Sequence, residues 1–337
     1  MDPREPILAL CDALGFRHCR VVTVPAGGAP RIDELLRWIN AGHAGEMRWI
    51  EDTLPIRRDP GLRLPGARSA LVLGTDYHAF VPPDPGGLSG RVARYAWGRD
   101  YHNLVGKRLN KLRKRLNGMG IRAWGGVDRA PILERGWAEA GGLGWAGKNC
   151  MQILPARGSY FFLAVMFVDV ALEPDPPVRD HCGRCVRCLV ACPSQAFVGP
   201  HQLDARRCIS YWTIEAEGAV PEELRSKLGR WVFGCDECQE VCPHNAAPPE
   251  VDELDLMPRN AWLDLPELLE STDAQLSARF LGTPLARPGP EGLRRNACVV
   301  LGNLGDAAAI PLLRRSADSG GPLVREHARW ALGRLGG

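Results

Sequence analysis

The chain has 337 residues, 45% hydrophobic and 24% charged, with a formal net charge of +3. That length allows more than one domain, and that apolar share argues against gross disorder. No stretch approaches the ~20 apolar residues of a bilayer-spanning helix, and the amino terminus MDPREPILAL lacks the apolar core of a signal peptide, so a cytoplasmic protein with no membrane contact is expected.

Residues 1–25 predict an amphipathic helix and then a strand. Ile7, Leu8, Cys11 and Leu14 recur at helical spacing, Gly15 ends the turn, and residues 19–24 alternate. After a turn-forming stretch at 25–30, Ile32, Leu35, Leu36 and Ile39 predict a second helix starting near Asp33. In IRRDPGLRLPGARSALVLGTD (56–76) a polar half leads into a strand of buried length at 69–73. Arginines and glycines beside such a strand suit a phosphate-bearing ligand or a plain surface loop. A flexible spacer over 82–90 precedes RVARYAWGRDYHN and a helix at 101–116, with Leu104, Leu109, Leu112 and Leu116 on one side. Residues 91–122 carry ten Lys or Arg against Asp100 alone, whereas 250–273 carry eight acids against Arg259. The basic stretch suits anion binding or a solvated helix face.

Residues 121–127 predict a strand ending at Asp128, with Pro131 in the first turn of a helix running to Ala140. An acid in that place commonly caps a helix. It can also donate a proton from a pocket whose burial raises its pKa. The stretch GGLGWAGKNCMQILPARGSYFFLAVMFVDV that follows is glycine-rich and then strand-like over 160–168. It contains no GxGxxG fingerprint, so no Rossmann nucleotide site is read there.

Cys182, Cys185, Cys188 and Cys192, followed by Pro193, form the C-x2-C-x2-C-x3-C-P run of two-cluster ferredoxins, in which the fourth cysteine serves the other cluster. Cys235, Cys238 and Cys242, followed by Pro243, form a second run without its leading cysteine, which Cys208 replaces. One [4Fe–4S] cluster is thus expected on Cys182, Cys185, Cys188 and Cys242, and another on Cys192, Cys208, Cys235 and Cys238. Zinc has no use for three cysteines at three-residue spacing capped by C-P, and disulfides need an oxidising compartment. Cys11, Cys19, Cys150 and Cys298 read as small buried apolar residues. Beyond an acidic, proline-bearing linker at 248–256, LRRNACVVLGNLG from Leu293 recurs as VREHARWALGRLG from Val324, which predicts a short helical solenoid of HEAT type. Arg294, Arg295, Arg314, Arg315, Arg325 and Arg329 on it suit an anionic partner.

Taken together, RxxPGxRLPGARS (57–69), RYAWGRDYH (94–102), VDRAPILER (127–135), GLGWAGKN (142–149), both cysteine runs, ISYWTIE (209–215) and the terminal repeat resemble the epoxyqueuosine reductases over essentially the whole chain. Cys150 and Trp212 stand where threonine and leucine are frequent in that family. The resemblance implies an α+β fold. Residues 1–170 would form a nitroreductase-like, cobalamin-binding α/β domain, 171–250 an inserted two-[4Fe–4S] ferredoxin-like module, and 251–337 the linker and a C-terminal α-helical HEAT-like repeat. It further implies reduction of the epoxide of epoxyqueuosine at the wobble position of a tRNA anticodon stem-loop, by a monomer fed from an external low-potential electron donor. Asp128 would be the proton donor, and Arg57, Asp128, Lys148, Asn149, Gln152 and Ser210 would contact the cobalamin. The family's core also resembles corrinoid reductive dehalogenases, which makes reduction of a small organohalide the alternative activity.

Overall fold

A computed structural model describes residues 3–336. At its centre lies a four-stranded antiparallel sheet in the order His18–Thr23, Ser69–Asp76, Phe161–Val168, Ala123–Gly126. Side chains alternate across a pleated strand, and the two central strands divide accordingly. Leu71, Leu73, Phe162, Ala164 and Met166 join Ile7 and Cys11 of the Arg4–Ala13 helix and Val105, Leu109, Leu112 and Leu116 of the Tyr101–Gly118 helix. Ala70, Val72, Val165 and Phe167 pack with Trp137 of the Glu134–Ala140 helix on the opposite face. Every residue of Ser69–Asp76 is buried, the condition under which a strand reads as a continuous apolar run rather than an alternation.

Two expectations shift in this core. Val105, rather than the half-buried Leu104, completes the apolar face of the basic helix. The helix expected to hold Pro131 in its first turn begins instead at Glu134. Asp128 adopts a left-handed φ of 52°, and Arg57 Nη1 donates to the Ile132 carbonyl at 3.1 Å, so residues 128–133 are held as a loop.

The stretch read as a flexible spacer ends in a strand. Ser89–Val92 pairs in parallel with Trp231–Phe233 and antiparallel with Trp262–Asp264. This small sheet therefore takes one strand from before, one from within and one from after the cysteine region. Gly90 is required there, because a Cβ would meet Val232 and Leu265 at 2.9 Å.

The tail forms the helices Gly289–Leu304, Ile310–Ser319 and Pro322–Leu335. The first and third end on Gly305 and Gly336 at φ 72° and 70°, the last glycine of each L-G-x-L-G unit serving as a left-handed cap. Their core residues Leu293, Ala297, Leu301 and Ala328 continue into Val92, Phe233 and Leu263 of the small sheet. Among the described residues, no helix is long and apolar enough to cross a membrane.

One arginine of the repeat is not a surface residue. Arg295 is fully buried, and its guanidinium donates to the Ala216 and Gly218 carbonyls at 2.7 Å each and also to the Trp212 carbonyl. It braces the 212–218 segment and is withdrawn from any partner. Removing it leaves the buried Ala216 carbonyl without its donor, at about 1–3 kcal/mol, and frees the half-buried Trp212 and exposed Gly218 carbonyls at less. Arg295→Met should therefore lower Tm by about 5–10 °C in a thermal melt, whereas Arg329→Ala, at an exposed site, should leave Tm unchanged.

Candidate active site and cluster ligands

The eight cysteines fall into two groups in space. Cys188, on the Arg187–Ala191 helix, has its thiol pushed up first by burial and then by its neighbours Cys182, Cys242 and Cys185. Burial likewise raises Cys242, with Cys182 and Cys185 adding to it. In the other group, burial holds Cys238 well above its ordinary range, with Cys208 and Cys192 among the charges around it. Cys235 is raised by burial, Cys208 and Cys238. Cys208 stands at the N-terminus of the Ile209–Ile214 helix, where the Ser210 and Tyr211 amides point at its sulfur and partly offset its burial.

Four thiols so placed oppose one another's ionisation, and bound metal reverses that by holding them as thiolates. The donor set, all sulfur and in two groups of four, fits two [4Fe–4S] clusters. Among the described residues, no three His, Cys, Asp or Glu side chains gather tightly enough for a single metal ion. A cubane spreads its four ligands over a larger body than one ion does.

The Gly-Lys-Asn segment locks both cysteine loops to the central domain. Lys148 Nζ donates to the Gly183 and Cys185 carbonyls at 2.7 and 2.9 Å, and Asn149 Nδ2 donates to the Cys238 carbonyl at 3.0 Å. These two side chains are thus engaged with the cluster loops. Gln152 Nε2 donates to the Leu143 carbonyl at 2.8 Å, leaving Gln152 Oε1 buried without a partner.

Asp128 stands 61% exposed at a left-handed φ of 52°. Tyr101 Oη donates to its carboxylate at 2.6 Å, and His102 Nε2 lies 3.0 Å from the same oxygen. The other nitrogen of His102 is 2.6 Å from Asp100, whose carboxylate also accepts the His102 amide. Burial alone would lower the His102 pKa, but Asp100 and Asp128 more than offset it and hold the ring above its ordinary value. His102 therefore bridges two carboxylates, both of which favour its protonated form. The surroundings of Asp128 would raise its pKa, but the His102 and Tyr101 hydrogen bonds outweigh them and hold the carboxyl below its ordinary range. The sequence reading expected burial to raise it. The correction arises because D-Y-H at 100–102 folds back onto the loop and supplies both donors.

Glu134 anchors this loop from beneath. Burial pushes its carboxyl up to about 8, with the Asp128 charge adding and with Arg57 and the Asp128 amide, which donates to it, opposing. Arg57 is itself buried, bonded to Thr53 Oγ1 and the Ile132 carbonyl and set over Trp49. A folded pKa above the unfolded value of 4.5 means that the native chain holds the extra proton. This contribution to stability is complete below 4.5 and lost as pH rises through about 8. Glu134→Gln should accordingly flatten the fall in Tm between pH 4.5 and about pH 8, as read by thermal melts of the metal-free chain.

Two arginines connect this array to its surroundings. Arg135 acts on Asp128 and donates to the Cys150 carbonyl at 2.8 Å, joining the Asp128 loop to the 148–152 segment. Arg287, from the tail, pairs with Glu215 at 2.8 Å and feels the charges of Asp128 and Tyr101. Ser210 is half-buried beside Cys208, and its amide is turned to that sulfur. Sequence reasoning missed Asp100, Tyr101, His102, Glu134 and Arg287 as site residues. RYAWGRDYH and VDRAPILER contained the first four, but nothing local shows that the two motifs meet.

The family model "Epoxyqueuosine reductase QueG, DUF1730" matches residues 57–128, "4Fe-4S double cluster binding domain" matches 181–245, and "HEAT repeats" matches 283–337. The epoxyqueuosine reductase of Pseudomonas aeruginosa is 42% identical over 96% of this chain and 92% of its own length. That of Escherichia coli is 40% identical over 89% of this chain and 81% of its own length. A crystal structure of epoxyqueuosine reductase with an epoxyqueuosine-modified tRNA-Tyr stem loop superposes with a TM-score of 0.91 at 32% identity, covering 99% of this chain and 90% of that one. The Bacillus subtilis enzyme, solved with its catalytic aspartate loop swung out of the active site, matches at a TM-score of 0.89 and 31% identity over 98% and 90%. With this similarity spanning its domain, cluster ligands and tail, the chain belongs to the epoxyqueuosine reductase family.

Proposed function

We propose that this chain reduces the epoxide of epoxyqueuosine in a tRNA anticodon loop to the alkene of queuosine. The reading rests on the Asp100–His102–Asp128 array, a proton store with an exposed carboxylate at its tip, built into a chain that binds two [4Fe–4S] clusters. Converting an epoxide to an alkene and water takes two electrons and two protons. The clusters, with cobalamin between them and the substrate, would supply the electrons at low potential.

The buried acceptors of this chain suit a cobalamin. Glu134 Oε1 and Gln152 Oε1 have no hydrogen-bond partner in the chain, and the rim of a corrin carries amide donors. Arg57 and Glu134 would hold one side, and Gln152 with the backbone of 148–152 the other, since Lys148 and Asn149 commit their side chains to the cluster loops. Ser210 adds a hydroxyl beside Cys208.

The chain itself handles the protons. His102 holds one on Nε2 against Asp128, and the exposed Asp128 oxygen passes it to the departing epoxide oxygen. Tyr101, whose phenol burial holds well above its ordinary range, stays protonated and fixes the carboxylate. The second proton reaches Asp128 from solvent along its exposed side. The tRNA backbone would meet the exposed cations of the Tyr101–Gly118 helix, among them Lys107, Lys111 and Lys114, together with Arg314 and Arg329 of the tail, and its binding should weaken with salt. A base that must reach a buried centre has to be turned out of its stack.

Organohalide reduction is not favoured, since relatives 42% and 40% identical over nearly the whole chain bear the epoxyqueuosine reductase name. The deciding experiment is anaerobic reconstitution with iron, sulfide and cobalamin, followed by mass analysis of an epoxyqueuosine-containing stem loop. Loss of one oxygen atom is the expected result. An unchanged mass with fully reduced clusters overturns the reading.

A further inference from the structure

Under the proposed function, electrons enter from outside the chain, and the surface over the first cysteine group shows where. Cys182, Cys185, Cys188 and Cys242 line one small cavity together with Arg187. The Arg187–Ala191 helix covers it. Val186 and Val190, one helical turn apart with the Val190 amide bonded to the Val186 carbonyl at 3.1 Å, lie 46% and 80% exposed.

Basic residues neighbour these valines along the chain. Arg179, Arg184 and Arg187 are all exposed, and none makes an ion pair or side-chain hydrogen bond among the described residues. Elsewhere in and around this module most arginines are committed, Arg91 and Arg94 to Glu240, Arg206 to Asp204, Arg225 to Glu326 and Arg230 to Asp84, with the exposed Arg207 an exception. The nearest acid in sequence, Asp180, accepts the Cys182 amide at 2.6 Å. An apolar centre with an unpaired basic rim, laid over metal-ligand cysteines, has the composition of a transient redox interface. The rim steers an oppositely charged partner, and the small apolar centre lets it leave again.

We infer that this face docks an acidic, low-potential electron-carrier protein, iron–sulfur or flavin in type, which passes single electrons to the cluster on Cys182, Cys185, Cys188 and Cys242. Each transfer oxidises the carrier by one electron and reduces the cluster by one, with no bond made or broken. Tunnelling falls off exponentially with distance, so a carrier seated on Val186 and Val190 meets the chain where the cysteines lie closest beneath the surface. RNA is the other polyanion available to a basic face. The exposed ring nearest the patch in sequence, His181, already packs edge-on against Trp145, and the centre of the patch is aliphatic, which favours a protein.

The test follows bleaching of cluster absorbance in the anaerobic holoprotein, with a pre-reduced acidic ferredoxin or flavodoxin as one donor and dithionite as the other. Wild-type reduction by the carrier should slow steeply with added salt. Arg179→Gln/Arg184→Gln and, separately, Val190→Gln should each slow it at least tenfold, while the dithionite rate, iron content and tRNA affinity stay within twofold. Val190 points away from the cysteines and reports even if the arginine variant loses iron. Unchanged carrier rates in the Val190 variant, equal slowing with dithionite, or a loss confined to tRNA binding would each overturn the docking surface. A chain that takes up no cluster would instead defeat the functional reading beneath it.

Discussion

Asp128→Asn should lower turnover by about 10²–10⁴-fold, the usual contribution of a positioned acid, while leaving tRNA and cobalamin binding in place. Asparagine suits the test because it tolerates the left-handed backbone that Asp128 adopts at φ 52° and can still accept the Tyr101 hydrogen bond. It removes the negative charge against which His102 holds its proton. The His102 pKa, raised by Asp100 and Asp128 together, should fall back towards the ordinary 6.5. In the native chain the imidazolium proton is present below that raised value and lost as pH rises through it. The alkaline limb of the pH–rate profile should therefore move to lower pH in the variant, a shift that a merely structural role for Asp128 would not produce. Full activity of the asparagine enzyme at neutral pH would end the proton-donor assignment.

Cys208→Ala should halve the iron of the anaerobic protein, from about eight to about four atoms per chain, and reduce turnover to background. Cys208 is the one assigned ligand outside either cysteine run, so its loss tests the partition into two groups. Its sulfur receives the Ser210 and Tyr211 amides and shares its surroundings with Cys192, Cys235 and Cys238. Two controls sharpen the result. Cys298 is fully buried in the tail, its thiol pushed up to about 12 by burial, and Cys298→Ala should keep all its iron at a stability cost of about 1 kcal/mol. Cys150 is the sharper control. Burial pushes its thiol up to about 11, and both Cys208 and Cys188 bear on it. If Cys150→Ala lost half the iron and Cys208→Ala did not, the ligand sets would have to be redrawn.

Much of the architecture could be read along the chain because it depends on short-range regularities. The Arg4–Ala13 helix, the Ser69–Asp76 and Phe161–Val168 strands and the tail helices each announce themselves through periodicity, length or repetition, since those patterns record which face of an element is buried. The cysteine runs are legible for a related reason: the ligands of one cluster come largely from a single tight loop, whose spacing is set by the size of the metal body. The elements that eluded the sequence are those held by distant partners. Ser89–Val92 becomes a strand only by pairing with chain some 140 and 170 residues later, and Glu134 starts its helix late because Arg57 and the left-handed turn at Asp128 hold residues 128–133 as a loop.

The sequence alone determined the sulfur donors of the two cysteine runs and the helical tail, because each resides in a contiguous motif, whereas for Asp128 local spacing left a helix cap and a proton donor both open. Tertiary structure alone decided the surroundings of Asp128, by folding His102 and Tyr101 onto its carboxylate. It also turned Lys148 and Asn149 to the cluster loops and buried Arg295 beneath the 212–218 segment. Charge state and hydrogen-bond partnership depend on what surrounds a side chain within a few ångströms, and for these residues the surroundings come from stretches 26 to 89 positions away.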